Sequence, residues 1–198
     1  TTLAILTAMA LTPAVVLGQA KVGQAAPAFT VTDVNGKTHN LNDYRGRIVV
    51  LEAYNYDCPF CANHYKSGAM QALQGASTSK GVVWLVVNST SQDHSSYRTS
   101  EAARAEFDRL GMKATAWIND TSGALGKQYG MKTTPHLFVI DQKGILTYQG
   151  AIDNRAAASG NPRTAKNYVR PVIEALLTNR AVTPSQTKPY GCGVKYEG

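Results

Sequence analysis

Arg47-Ile48-Val49-Val50-Leu51-Glu52-Ala53-Tyr54 runs through Asn55-Tyr56-Asp57 into Cys58-Pro59-Phe60-Cys61. Ile48 to Leu51 is a continuous apolar run of strand length, as expected for a strand covered on both faces. Ala62 to Gln74, just beyond the cysteines, is compatible with a helix. Two thiols three positions apart at a strand-to-helix junction can close a disulfide across the first helical turn. The first thiol then faces unpaired backbone N–H groups and the positive end of the helix dipole. That setting favours the thiolate, the form that attacks disulfides. A Cys-x-x-Cys pair after a strand in an α/β pattern is a redox signal, and Cys58 is the expected nucleophile.

Upstream, Ala28 to Thr32 alternates as a strand, Asp33-Val34-Asn35-Gly36-Lys37 reads as a turn, and Thr38 to Leu41 as its hairpin partner. Downstream, Val82 to Val87 is a second buried strand and Ser89 to Ser100 a polar loop. Ser100 to Leu110 is helical, with Ser100 as N-cap and Gly111 as C-cap. Thr115 to Ile118 is a short strand, and Ser122 to Tyr129 a short helix ended by Gly130. Leu137 to Ile140 and Ile145 to Tyr148 form a hairpin, and Thr164 to Asn179 a last helix that Pro171 kinks or starts late. Thr183 to Gly198 is an extended tail around Cys192. This order predicts an α/β fold: a central mixed sheet with helices on both faces and an extra N-terminal β-hairpin.

A chain of 198 residues can bury a proper core without disulfides, so three cysteines point to chemistry rather than scaffold. The net charge of +7 is spread along the chain without a dense basic block. Nucleic-acid binding is therefore not expected. Thr1 to Ala20 has no charged residue, is rich in Leu, Ala, Val and Ile, and ends in small residues around Leu17-Gly18-Gln19-Ala20. It reads as the apolar core and cleavage site of an export signal or, if retained, as an N-terminal apolar helix that gives membrane anchorage. Export to a periplasmic or secreted location would suit a cycling Cys pair.

Glu52 lies six residues before Cys58, and Thr133-Thr134-Pro135 precedes the later hairpin. With Gln24-Ala25-Ala26-Pro27-Ala28-Phe29, Asp33 to Lys37 and Leu41, these residues resemble the thioredoxin superfamily, and within it the exported thioredoxin-like and peroxiredoxin-like redoxins. The likeness spans most of Val22 to Arg180. It implies a thioredoxin-like domain over 21–182, preceded by the apolar segment 1–20 and followed by a Cys-containing tail over 183–198. The expected activity is thiol–disulfide exchange with protein or small-molecule thiols and disulfides, with no cofactor.

Within that resemblance each residue has a role. Cys58 attacks, and Cys61, one turn further in, resolves the mixed disulfide. Glu52, in an apolar strand, should have a raised pKa and take the Cys61 proton. Pro59 and Phe60 set the redox poise, Pro59 at the first helical turn where its missing N–H costs little. Pro135 matches the family's cis-proline, and the backbone of Thr134 would pair with an extended substrate segment. Lys188 to Tyr196 resembles the C-terminal signature of a peroxiredoxin-like subgroup, which makes Cys192 an alternative resolving partner or else a free or intermolecular thiol.

Two other functions compete. A peroxiredoxin carries its peroxidatic Cys at the position of Cys61, with Thr or Ser three residues earlier and Pro seven earlier; here Cys58 and Tyr54 stand there. A related copper-handling branch uses two Cys and a His, and Cys58, Cys61 and His64 could mimic that set. Otherwise His64 reads as a helix-surface residue and His136 as a strand residue.

Overall fold

A computed structural model describes residues 19–196. All but the end of the expected export segment therefore lies outside the described residues. The elements are β1 (Thr30–Thr32), β2 (Thr38–Asn40), β3 (Val49–Ala53), α1 (Pro59–Lys66), α2 (Ala69–Thr78), β4 (Val83–Asn88), α3 (Ser100–Arg109), β5 (Ala116–Asn119), α4 (Ala124–Tyr129), β6 (Thr133–Thr134), β7 (His136–Ile140), β8 (Leu146–Gly150), α5 (Val169–Leu177) and β9 (Cys192–Gly193). β1 and β2 pair as the expected hairpin, with Val31 opposite His39.

The central sheet has five strands in the order β5-β4-β3-β7-β8. β3 runs parallel to β4 and antiparallel to β7, so the strand leading to the cysteines is the middle one. Its alternation divides two cores. Val49, Leu51 and Ala53 face Phe29, Leu41, Leu125 and Tyr129. Val50 and Tyr54 face Cys61, Tyr65, Met70 and Leu73 of α1 and α2, and Val172 and Ile173 of α5. A strand covered on both faces is the reason for the unbroken apolar run.

Three expectations change, and the open choice at Pro171 is decided. The helix expected over Ala62 to Gln74 is two helices, divided at Gly68, whose φ of +74° is left-handed. α3 is capped by Thr99, whose side chain accepts from the Ala102 N–H at 3.3 Å, one residue before the expected Ser100. α5 starts late, at Val169, which leaves Pro171 in its first turn, where its missing N–H has no intrahelical partner to lose. The tail is docked: β9 pairs antiparallel with β6, Cys192 opposite Thr134 and Gly193 opposite Thr133.

Candidate active site

Cys58 is the N-cap residue of α1, with Pro59 at the first helical position. Asn55 begins the connecting turn: its carbonyl accepts from the Cys58 N–H at 3.2 Å, and its side chain accepts from the Asp57 N–H at 3.1 Å. Cys58 and Cys61 are both buried, Cys192 is half-buried, and all three are free thiols.

Their acidities diverge. The Cys58 sulfur is held by the Cys61 thiol, against the cost of burial, and further by the Thr134 side chain and the N–H groups of Cys61 and Cys192; its pKa falls to about 4. The Cys58 thiol also lies 2.9 Å from the Thr134 carbonyl oxygen, to which it donates. That contact requires the proton, whereas the surrounding donors require its loss. The donors outnumber the single acceptor, so the thiolate is favoured. Burial pushes Cys61 well above the ordinary thiol value, reinforced by its hydrogen bond to Cys58 and by the nearby negative charge of Cys58. Burial and the hydrogen bond to Cys58 raise Cys192 to about 11.

Glu52 lies wholly inside, on the same face of β3 as Val50 and Tyr54. Its carboxylate accepts from the Tyr65 hydroxyl at 2.7 Å, the Trp84 indole at 2.7 Å and the Gln74 amide at 3.0 Å. Burial outweighs these donors and lifts its pKa to about 7. Its charge also raises the pKa of Cys61. Tyr65 was not singled out in the sequence, although its place four residues after Cys61, one helical turn on, is a signal that could have found it. Trp84 and Gln74 come from other elements and leave no local signal beside Glu52.

The Thr134–Pro135 peptide is cis. Phe60 lies over the site edge with its ring centroid 5.9 Å from that of Tyr190. His64 is buried rather than on the helix surface. Its Nε2 lies 3.1 Å from the Tyr190 hydroxyl and 3.9 Å from an Asp153 oxygen, and Tyr190 donates to Asp153 at 2.5 Å. Burial lowers the His64 pKa. The ring thus joins α1 to the tail, and among the described residues it forms no metal-holding group with Cys58 and Cys61. His136 is a buried strand residue stacked 4.3 Å from Phe138, centroid to centroid.

A five-stranded mixed sheet whose middle strand leads into a Cys-x-x-Cys helix start, beside a cis-proline, defines a thioredoxin-like fold. The thioredoxin domain of a thiol-disulfide oxidoreductase from Bacteroides vulgatus superposes with a TM-score of 0.50 at 18% identity, covering 65% of this chain and 87% of that one. A hypothetical protein from Sinorhizobium meliloti 1021 superposes with a TM-score of 0.78 at 22% identity, covering 91% and 97%. Within this fold, the chain belongs to the AhpC/TSA family, whose model matches residues 22–149. Thiol-disulfide oxidoreductase ResA from Bacillus thuringiensis subsp. konkukian is 28% identical over 124 residues, 63% of this chain. The match spans 66% of that relative, just under two thirds of its length. Peroxiredoxin-1 from Gallus gallus is 27% identical over 139 residues, 65% of this chain and 68% of that one.

Proposed function

We propose that the chain is a thiol–disulfide oxidoreductase working through Cys58 and Cys61. The observation that carries this reading is the placement of two thiols one helical turn apart. Cys58 caps the start of α1 against Thr134 of the cis Thr134–Pro135 peptide, and Cys61 is buried one turn further in. This placement favours the thiolate at the first and the thiol at the second. The Cys58 thiolate attacks one sulfur of a substrate disulfide, forms a mixed disulfide and expels the other sulfur as a thiolate. Cys61 then gives up its proton, attacks the Cys58 sulfur and expels the second substrate thiolate. Two electrons pass to the substrate, and Cys58 and Cys61 end as a disulfide. Glu52, ionised in part near neutrality, receives the Cys61 proton. Pro59, Phe60, Thr134 and Pro135 shape the approach to Cys58. The partners are protein or small-molecule thiols and disulfides, met in an exported, oxidising compartment to which the apolar segment 1–20 directs the chain, or anchors it if retained.

The likeness to a peroxiredoxin supports a second reading, peroxide reduction. It would need a reactive thiolate at Cys61, and burial works against one there. One assay set separates the two. With a small aromatic disulfide, Cys58→Ser should abolish exchange, since the attacking thiolate is gone, and Cys61→Ser should stall with the substrate half linked to Cys58. Disulfide exchange that survives Cys58→Ser overturns the first reading. Peroxide turnover that depends on Cys61 and not on Cys58 installs the second.

A further inference from the structure

The edge of Thr133 and Thr134, where an extended substrate would pair, is taken by the chain's own tail. The seat is built for that tail. Gly191 has a φ of +130°, and a Cβ there would run into the Thr134 carbonyl. A Cβ on Gly150 would run into Thr187, and one on Gly126 would lie 2.6 Å from the Tyr196 hydroxyl. Along the tail the Thr187 N–H donates to the Gln149 carbonyl at 3.1 Å, the Val194 N–H to that of Lys132 at 3.3 Å, and the Ser91 N–H to that of Lys195 at 2.8 Å. Residues 187–196 therefore lie as a strap across the site, with a cysteine in the register position opposite Thr134. Cys192 is thereby seated against the same Thr134 whose carbonyl oxygen accepts from the Cys58 thiol at 2.9 Å. Of the three cysteines, Cys192 alone is not fully buried.

We infer that the strap is a tethered substrate strand, and that Cys192 is the port through which low-molecular-mass thiols reduce the buried oxidised site. The inference rests on the Cys58/Cys61 reading above, which leaves those two residues as a disulfide. Cys192 gives up its proton and attacks the Cys58 sulfur; the Cys58–Cys61 bond breaks, the Cys58–Cys192 bond forms, and Cys61 takes up a proton. No electrons are gained or lost in that exchange. An external thiolate then attacks the half-exposed Cys192 sulfur and expels Cys58. Exchange is fastest when the attacked sulfur is accessible and the leaving thiolate is the more acidic one, and both conditions select this direction. A second external thiol attacks the mixed disulfide on Cys192 and leaves as the external disulfide. Two electrons have entered the protein, and Cys58 and Cys192 end reduced.

The test is reduction of the oxidised full-length chain by glutathione, with peptide mapping of the disulfides by mass spectrometry. The wild type should yield a Cys58–Cys192 linkage and, at limiting glutathione, a mixed disulfide on Cys192. Cys192→Ser should slow reduction by about tenfold or more. Gly191→Ala, which keeps the thiol but displaces its seat, should slow it similarly while the thermal midpoint shows that the domain stays folded. Glutathione recovered on Cys58, together with a Cys192→Ser rate within twofold of wild type, overturns the port while leaving the Cys58/Cys61 reading intact. If Cys58→Ser is oxidised and reduced as the wild type is, the underlying reading fails instead.

Discussion

Glu52 faces Tyr65, Trp84 and Gln74 with three hydrogen bonds and no cationic partner among the described residues. Its pKa of about 7, against 4.5 for the free group, makes it a stability switch beside the proton-accepting role proposed for it. A carboxyl raised by folding favours the folded state fully below about pH 4.5 and loses that advantage as pH rises through about 7. The size is about 3 kcal/mol, from ~1.36 kcal/mol per unit. Glu52→Gln keeps the shape of the protonated acid without the charge. Urea unfolding should show the variant gaining on the wild type between those two pH values, and holding a constant lead above them. A gap that does not change with pH would show that the carboxyl does not titrate in that window. Cys58 has the opposite sign. Reduced protein should show one thiolate by ultraviolet absorbance from neutrality down to about pH 4, absent in Cys58→Ser. Both residues were legible in the sequence because their chemistry follows from local position: a helix start for one, an apolar strand for the other. His64 was not legible, since its partners Tyr190 and Asp153 stand far along the chain and give no periodic signal beside it.

At the scale of elements, the break between α1 and α2 shows how a distant residue decides a local structure. A glycine inside a helical pattern costs only about 1 kcal/mol, so the run from Ala62 to Gln74 reads as one helix. In the fold Gly68 turns left-handed, and a Cβ there would lie 2.6 Å from the Arg163 guanidinium. Arg163 also donates through Nε to the Ser67 carbonyl at 2.6 Å, capping the end of α1 from 96 residues away. Gly68→Ala should therefore destabilise by about 1–3 kcal/mol, since alanine at positive φ loses more than it gains in unfolded-state entropy. Arg163→Ala should cost about 1 kcal/mol, one hydrogen bond. Chemical denaturation should find the double variant less destabilised than the sum of the single ones, because the second change removes the side chain that the first collides with. The strands were easier to read than the helix ends. Continuous apolar runs mark β3 and β4 whatever their partners, whereas Thr99 and Ser100 are both competent caps and only the turn geometry chooses Thr99.

Over the whole molecule, the two sheet faces carry separate apolar cores, and the tail belongs to neither in the same way. No residue from 183 to 196 is fully buried. The tail mixes prolines, glycines and polar residues with the scattered Tyr190, Val194 and Tyr196, a pattern with no strand or helix period; its place is set by close approaches at Gly191 and at Gly150 and Gly126 of other elements. This explains why the sheet was legible and the strap was not. It also separates their stabilities. A segment whose apolar side chains Tyr190, Cys192 and Val194 are only partly buried against the cores, and whose hydrogen bonds are each worth about 0.5–1.5 kcal/mol net, opens more readily than strands packed on both faces. Native-state hydrogen exchange should therefore find the Thr187 and Val194 amides, which donate to Gln149 and Lys132, exchanging through a shared local opening. The Val86 amide of β4 should exchange only with global unfolding. Gly150→Ala, which forces a Cβ onto Thr187, should speed Thr187 and Val194 together by about tenfold or more, since ~1.4 kcal/mol off the opening free energy is tenfold. If Thr187 accelerates and Val194 does not, the strap is two independent attachments, and the segment bearing Cys192 keeps its hold on Thr134 when the earlier one lets go. If both follow Val86, the tail is part of the global core, and opening the site by releasing the strap would require unfolding the domain.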